Sequence, residues 1–184
     1  MNKLVKKVLA GVIAGTMMLG SVCTAFAATG SKTEAPTAPE SNKKVEASNG
    51  YTVNTSSTGK ATVTSIKKTN KKEVSISSKV VVDGVKYTVT KIEAKTFANA
   101  PKATKVTLPS TITSLGAQAF TGAKSLKTIV IKSTKAVKVN KDAFKGVNTK
   151  KMTIKVTSMS KKELKAFKKQ LKKAGFKGTV KLVK

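Results

Sequence analysis

The sequence predicts an α+β solenoid, short and capped at both ends. Three observations point there. A unit of about two dozen residues is written out three times, and its phenylalanine recurs as Phe97, Phe120 and Phe144, 23 and 24 residues apart. Each ring stands five residues after an aliphatic side chain: Ile92, Leu115 and Val139. A hairpin signal precedes the units, and a stretch with helix start and stop signals follows them.

In chain order, residues 1–27 read as a secretory signal peptide. Lys3, Lys6 and Lys7 form a basic start, Val8 to Val22 is an apolar or small-residue run, and Ala25-Phe26-Ala27 is a small-x-small cleavage site. The run falls short of the ~20 residues that a membrane span needs. Cys23 lies near this site, but Val22 stands where a lipid-attachment signal has a small residue. Cleavage after Ala27 leaves no cysteine, which removes disulfides, thiolate metal sites and thiol nucleophiles from consideration.

Residues 28–50 contain one valine, Val45, among Ala, Thr, Ser, Asn, Pro, Glu, Lys and Gly. Such a composition cannot bury enough apolar surface to fold, so a flexible linker is expected. From Tyr51 short alternating strands begin: Thr52-Val53, Ala61 to Ile66 and Glu73 to Ile76. Val80-Val81-Val82-Asp83-Gly84-Val85-Lys86-Tyr87 is a hairpin, because Asp-Gly suits the two positive-φ positions of a type I′ turn. Residues 51–86 are assigned to an N-terminal β cap.

The repeats cover 87–157, as Tyr87 to Ser110, Thr111 to Ser133 and Thr134 to Thr157. In each, two short strands flank a compact turn. The first strand supplies Val89 and Ile92, Ile112 and Leu115, then Val137 and Val139; the second supplies Val106 and Leu108, Ile129 and Ile131, then Ile154 and Val156. The phenylalanine lies between them among alanines and glycines, which let neighbouring turns approach closely while the ring fills the space between. A period in this range is that of a leucine-rich-repeat solenoid, whose units bury their apolar faces only by stacking.

The clearest copy, TITSLGAQAFTGAKSLKTIVIKS, resembles the BspA-like leucine-rich repeat of bacterial surface proteins. That family's unit has an Ile-Gly-x-x-Ala-Phe core followed by a Cys-x-x-Leu-x-x-Ile-x-Ile/Leu-Pro strand. Ala100, Ala123 and Val147 stand where the family often has cysteine, and the third copy has Lys151 near the position of Leu126 with an extra residue before Ile154. The resemblance implies a secreted or cell-surface interaction protein, with attachment to host or matrix proteins among the family's associations.

Residues 158–184 read as a C-terminal helix-strand cap. Ser160 and Glu163 make a capping box that opens a helix over Lys161 to Ala174. Leu164, Phe167 and Leu171 form its apolar stripe, Gly175 stops it, and Phe176 can fold back on it. Taken alone, such a lysine-coated helix could also lie on an anionic membrane. Thr179 to Val183 can then join a sheet.

Charge and composition narrow the function. The chain has 37 basic residues, all lysine, against eight acids, for a net charge of +29. Two readings stand: a solvated, lysine-biased surface, or attraction to an anionic cell-wall polymer, glycan or membrane surface. The absence of arginine, the residue that grips phosphates and guanine edges with two hydrogen bonds, argues against specific nucleic-acid recognition. With no histidine, and with its two aspartates, Asp83 and Asp142, in separate turns, the chain shows no catalytic constellation. No enzyme activity, cofactor or metal is expected, and a monomer is.

Alternation locates the candidate binding face. If Val106 and Leu108 face the core, Thr107 faces out, and so do Val130, Lys155 and Lys181. Lys105, Thr128, Thr153 and Thr179 form a second outward row. This strand ladder is the expected site for an extracellular protein or an anionic surface polymer.

Overall fold

A computed structural model describes residues 39, 42, 44–47 and 50–183. The expected signal peptide, with Cys23, and most of the expected linker lie outside the described residues. In chain order the first six strands are β1 (Lys44–Ala47), β2 (Tyr51–Thr55), β3 (Lys60–Ile66), β4 (Glu73–Ser75), β5 (Lys79–Val82) and β6 (Val85–Ile92). The next five are β7 (Lys105–Leu108), β8 (Ser114–Leu115), β9 (Thr128–Ile131), β10 (Lys138–Val139) and β11 (Thr153–Val156). Helix α1 (Lys161–Lys173) and β12 (Thr179–Leu182) follow.

The fold is mixed and sheet-dominated, with one α-helix among the described residues. One sheet runs β1-β2-β3-β6-β8-β10, with β5 paired to β6; the other runs β12-β11-β9-β7-β4. β1, β2 and β3 pair antiparallel, whereas β3, β6, β8 and β10 are parallel, as are all five strands of the second sheet. From β3 onward the chain passes from the first sheet to the second and back. Apolar side chains of both sheets meet between them, with Val89, Ile92, Val106, Leu108, Ile129 and Ile154 at most 2% exposed.

Two local features differ from the sequence reading. Linker character was expected as far as Gly50, yet Lys44–Ala47 is a strand, with Ala47 buried and Val45 packed against the core. Pairing with β2 satisfies this segment's backbone, which composition alone does not register. The block 51–86 does more than cover one end, because β3 and β4 lie in the same parallel ladders as β6 and β7. Its apolar alternation is the reason: Ala61, Val63 and Ile66 are buried on β3, as Val89 and Ile92 are on β6. The hairpin forms as expected, with Asp83 at φ 48° and Gly84 at φ 79° joining β5 to β6.

The three rings stack. Phe97 and Phe120 have centroids 5.0 Å apart and planes 13° from parallel; Phe120 and Phe144 are 5.3 Å apart at 6°. Phe176 closes the column against Phe144 at 5.1 Å, tilted by 53°. Backbone bonds run beside the rings: the Phe97 N–H donates to the Ala119 carbonyl at 3.0 Å, and the Phe120 N–H to the Ala143 carbonyl at 3.3 Å. Lys95, Gln118 and Asp142 hold the same left-handed conformation, at φ 57°, 56° and 60°, and successive ones hydrogen-bond through their backbones. Gly122, at φ +93°, has no alternative, since a Cβ there would sit 2.6 Å from the Ala98 carbonyl oxygen. In the third copy a 3-10 turn at Thr149–Lys151 takes up the extra residue, and the buried side chain is Met152 rather than Lys151.

Helix α1 ends in a Schellman motif, with the Phe176 N–H on the Leu171 carbonyl at 3.0 Å and the Gly175 N–H on the Lys172 carbonyl at 3.2 Å. At its start Ser160 Oγ accepts the Glu163 N–H at 3.2 Å. The reciprocal half of the expected capping box is replaced. Glu163 Oε2 instead accepts the Ala136 N–H at 2.6 Å, and Gln170 Oε1 accepts the Val139 N–H at 3.0 Å. The helix thereby occupies the edge of β10 with side-chain acceptors.

Two substitutions test this packing. Phe120→Ala removes a ring with rings on both sides and is expected to cost about 3–5 kcal/mol in urea unfolding; a loss below about 1 kcal/mol would refute the shared column. The double substitution Glu163→Ala with Gln170→Ala, which strips the edge of its acceptors, is expected to cost about 1–3 kcal/mol. An unchanged unfolding midpoint would show that water replaces them at no penalty.

Candidate functional site

The outward face of the second sheet follows from register. Glu73, Lys105, Thr128, Thr153 and Thr179 stand opposite one another across β4, β7, β9, β11 and β12. Ser75, Thr107, Val130, Lys155 and Lys181 form the parallel row two residues on. All eight residues picked out by alternation therefore share one face. Lys155, Thr179 and Lys181 are exposed; Lys105, Thr107, Thr128, Val130 and Thr153 are half-buried between their neighbours. The residues between the rows, Val106, Ile129 and Ile154, are fully buried. At a strand spacing of about 4.8 Å the five strands make a surface roughly 19 Å across.

Glu73 and Ser75 extend both rows and were not in the sequence-based set. Their signal was present in the alternation of Glu73-Val74-Ser75-Ile76, but the spacing concealed it. Glu73 is 32 residues before its partner Lys105, whereas Lys105 is 23 before Thr128, because the β5–β6 hairpin is inserted in that first interval.

Charge is uneven across the face. Lys105 Nζ lies 3.3 Å from Glu73 Oε2, an exposed pair that contributes little to stability but neutralises the β4 side. Lys155 and Lys181 leave the β12 side cationic. Between them threonine hydroxyls offer donors and acceptors around one apolar spot, Val130. The face suits a polar surface with a small apolar contact.

Helix α1 turns inward with Phe167 and Leu171, both buried. Its apolar stripe is thus engaged in the core and not available to a membrane. Its seven lysines are all exposed. No helix among the described residues is long and apolar enough to cross a membrane.

The model of the BspA type leucine rich repeat region matches residues 90–184, in six copies. The chain belongs to the BspA-type leucine-rich repeat family. This BspA-type chain also resembles two solved structures. Against a leucine rich cell surface protein from Faecalibacterium prausnitzii A2-165 the identity is 25% and the TM-score 0.50, over 65% of this chain and 34% of that one. Against a leucine-rich repeat protein from Bacteroides capillosus ATCC 29799 the identity is 23% and the TM-score 0.56, over 79% of this chain and 100% of that one. The second likeness speaks to the fold. The chain thus spans about a third of the length of the first. No curated protein matches the sequence. Membership indicates protein–protein interaction in general, and leucine-rich repeat proteins of this kind are typically non-catalytic binding scaffolds.

Proposed function

We propose that the protein is a secreted or cell-surface solenoid of about three repeats that binds an extracellular protein, in adhesion, through the outward face of its second sheet. It acts without catalysis, cofactor or metal, and as a monomer. Residues 1–27 serve as its secretory signal, and the part of 28–50 before β1 as its linker. Residues 51–86 form one cap, 87–157 the repeats and 158–184 the second cap. The observation that carries this reading is the register of two polar rows over five strands, anchored by buried residues between them. Anchoring of this kind presents side chains to a partner with little ordering cost.

A second reading has its own observation. The seven exposed lysines of α1, with Glu163 committed to β10, present concentrated positive charge suited to an anionic wall polymer or glycan. The two readings respond oppositely to salt and to substitution. Pull-down from cell-envelope and host-matrix extracts, at low and high salt, separates them. A protein partner of the ladder is expected to survive high salt and to be lost on combined Thr107→Glu, Val130→Glu and Lys155→Glu substitution. Binding that disappears with salt and ignores those substitutions would overturn the ladder in favour of the polycation.

A further inference from the structure

The two sheets end differently beyond β10 and β11. In the first sheet, Glu163 and Gln170 of α1 accept N–H groups at the β10 edge. In the second, β12 adds itself to β11, and the described residues place no further strand beside it. The Thr179 N–H donates to the Met152 carbonyl at 2.9 Å and the Val183 N–H to the Val156 carbonyl at 2.8 Å. Alternation along a parallel strand therefore turns the N–H and C=O groups of Val180 and Leu182 away from β11. An edge of this kind is a template for another strand unless charge, proline or a covering element blunts it.

The surroundings of that edge specify what it would accept. Among the described residues the large apolar side chains that stand exposed are Val81, on the β5–β6 hairpin, and Leu182 and Val183, the last two 41% and 38% exposed. A groove of about 620 Å³ between the end of α1 and β12 is lined by Leu171, Phe176 and Val180 together with Lys168, Lys172 and Lys177. All three lysines are exposed. Apolar floor, cationic walls and backbone groups turned away from β11 thus converge on one strand. A second copy of the chain is disfavoured as the occupant, because each copy carries +29.

We propose that β12 receives an extended acidic segment of a partner protein as a sixth strand of the second sheet. Its backbone bonds to Val180 and Leu182, and every second side chain enters the groove, where aliphatic ones meet the apolar floor and carboxylates on that same face meet Lys168, Lys172 and Lys177. Main-chain bonds supply affinity in such strand addition, and the pocket and charges supply selectivity. The site is the edge of the sheet and not its face, so it stands independently of the ladder reading.

The test uses the full chain and a fluorescent eight-residue peptide of alternating glutamate pairs and valine pairs, which shows both residue types on each face of the strand, followed by anisotropy. Saturable binding is expected. It should weaken by about tenfold or more, the worth of one or two lost hydrogen bonds, when alternate peptide nitrogens are methylated. Leu182→Pro deletes one outward N–H without touching the bonds to β11 and should weaken binding similarly. Lys172→Glu with Lys177→Glu should weaken it further, and a lysine-valine peptide should not bind. Equal binding of the methylated peptide would overturn strand addition even if Leu182→Pro failed to fold, since that control leaves the protein unaltered. Absence of binding, or sedimentation showing self-association through β12, would also overturn it.

Discussion

The structure depends on the fact that no repeat has a core of its own. Phe120 is buried only because Phe97 lies on one side of it and Phe144 on the other, each about one aromatic thickness and a half away. Every other regularity serves that spacing. The left-handed residues Lys95, Gln118 and Asp142 bend successive turns identically, so that a backbone amide in one turn meets a carbonyl in the next. Alanines and Gly122 keep the turns close enough for those bonds to form. Removing a ring therefore affects two interfaces, and stability propagates between neighbours.

Sharing a core creates two exposed ends, and the chain treats them by different means. Before the repeats, an antiparallel set of strands, β1 to β3, delivers a parallel-running β3 to the first ladder while β4 enters the second. After them, Phe176 tilts against Phe144 and closes the aromatic column. The tilt follows from its origin, since Phe176 comes from the turn ending a helix and not from a repeat. Thr96 performs a related service at the other end, its buried hydroxyl sharing its one proton between the Glu93 and Val63 carbonyls while its own carbonyl accepts the Ile66 N–H. That bond ties the first copy's turn to β3.

What could be read from the sequence was whatever repeats or is local. The phenylalanine period rests on repetition, while the Asp-Gly hairpin, the helix with its stop, and the in-out alternation of β7, β9 and β11 each rest on residues within about one turn or one strand of each other. Contacts bridged by an insertion were hidden. β4 belongs to the second ladder, but the hairpin between it and β7 breaks the period by which it would have been recognised. Val45 looked isolated because the partner that gives β1 its backbone bonds, β2, is distinguished by pairing and not by composition. Glu163 was legible as a helix-start residue. Its engagement with Ala136, 27 residues earlier, depends on how α1 packs, which no local pattern encodes.

The placement of Glu163 and Gln170 has a physical logic that explains the asymmetry between the sheets. A helix has no free backbone donors or acceptors along its length, so it can seal a sheet edge only with side chains. β10 contributes just two residues to its ladder, and the edge there needs few acceptors; one carboxylate and one amide, seven residues apart on the same side of α1, are enough. In the second sheet the strand to be covered, β11, has four residues, and sealing such an edge from a helix would take more acceptors than two turns can aim. A further strand is the cheaper solution, and β12 supplies it. But a strand that covers one edge presents another, so among the described residues the second sheet keeps an open edge beyond β12 where the first is sealed beyond β10. That edge carries the apolar exposure of Leu182 and Val183 beside the lysines of α1, because the helix that seals one sheet ends alongside the strand that extends the other.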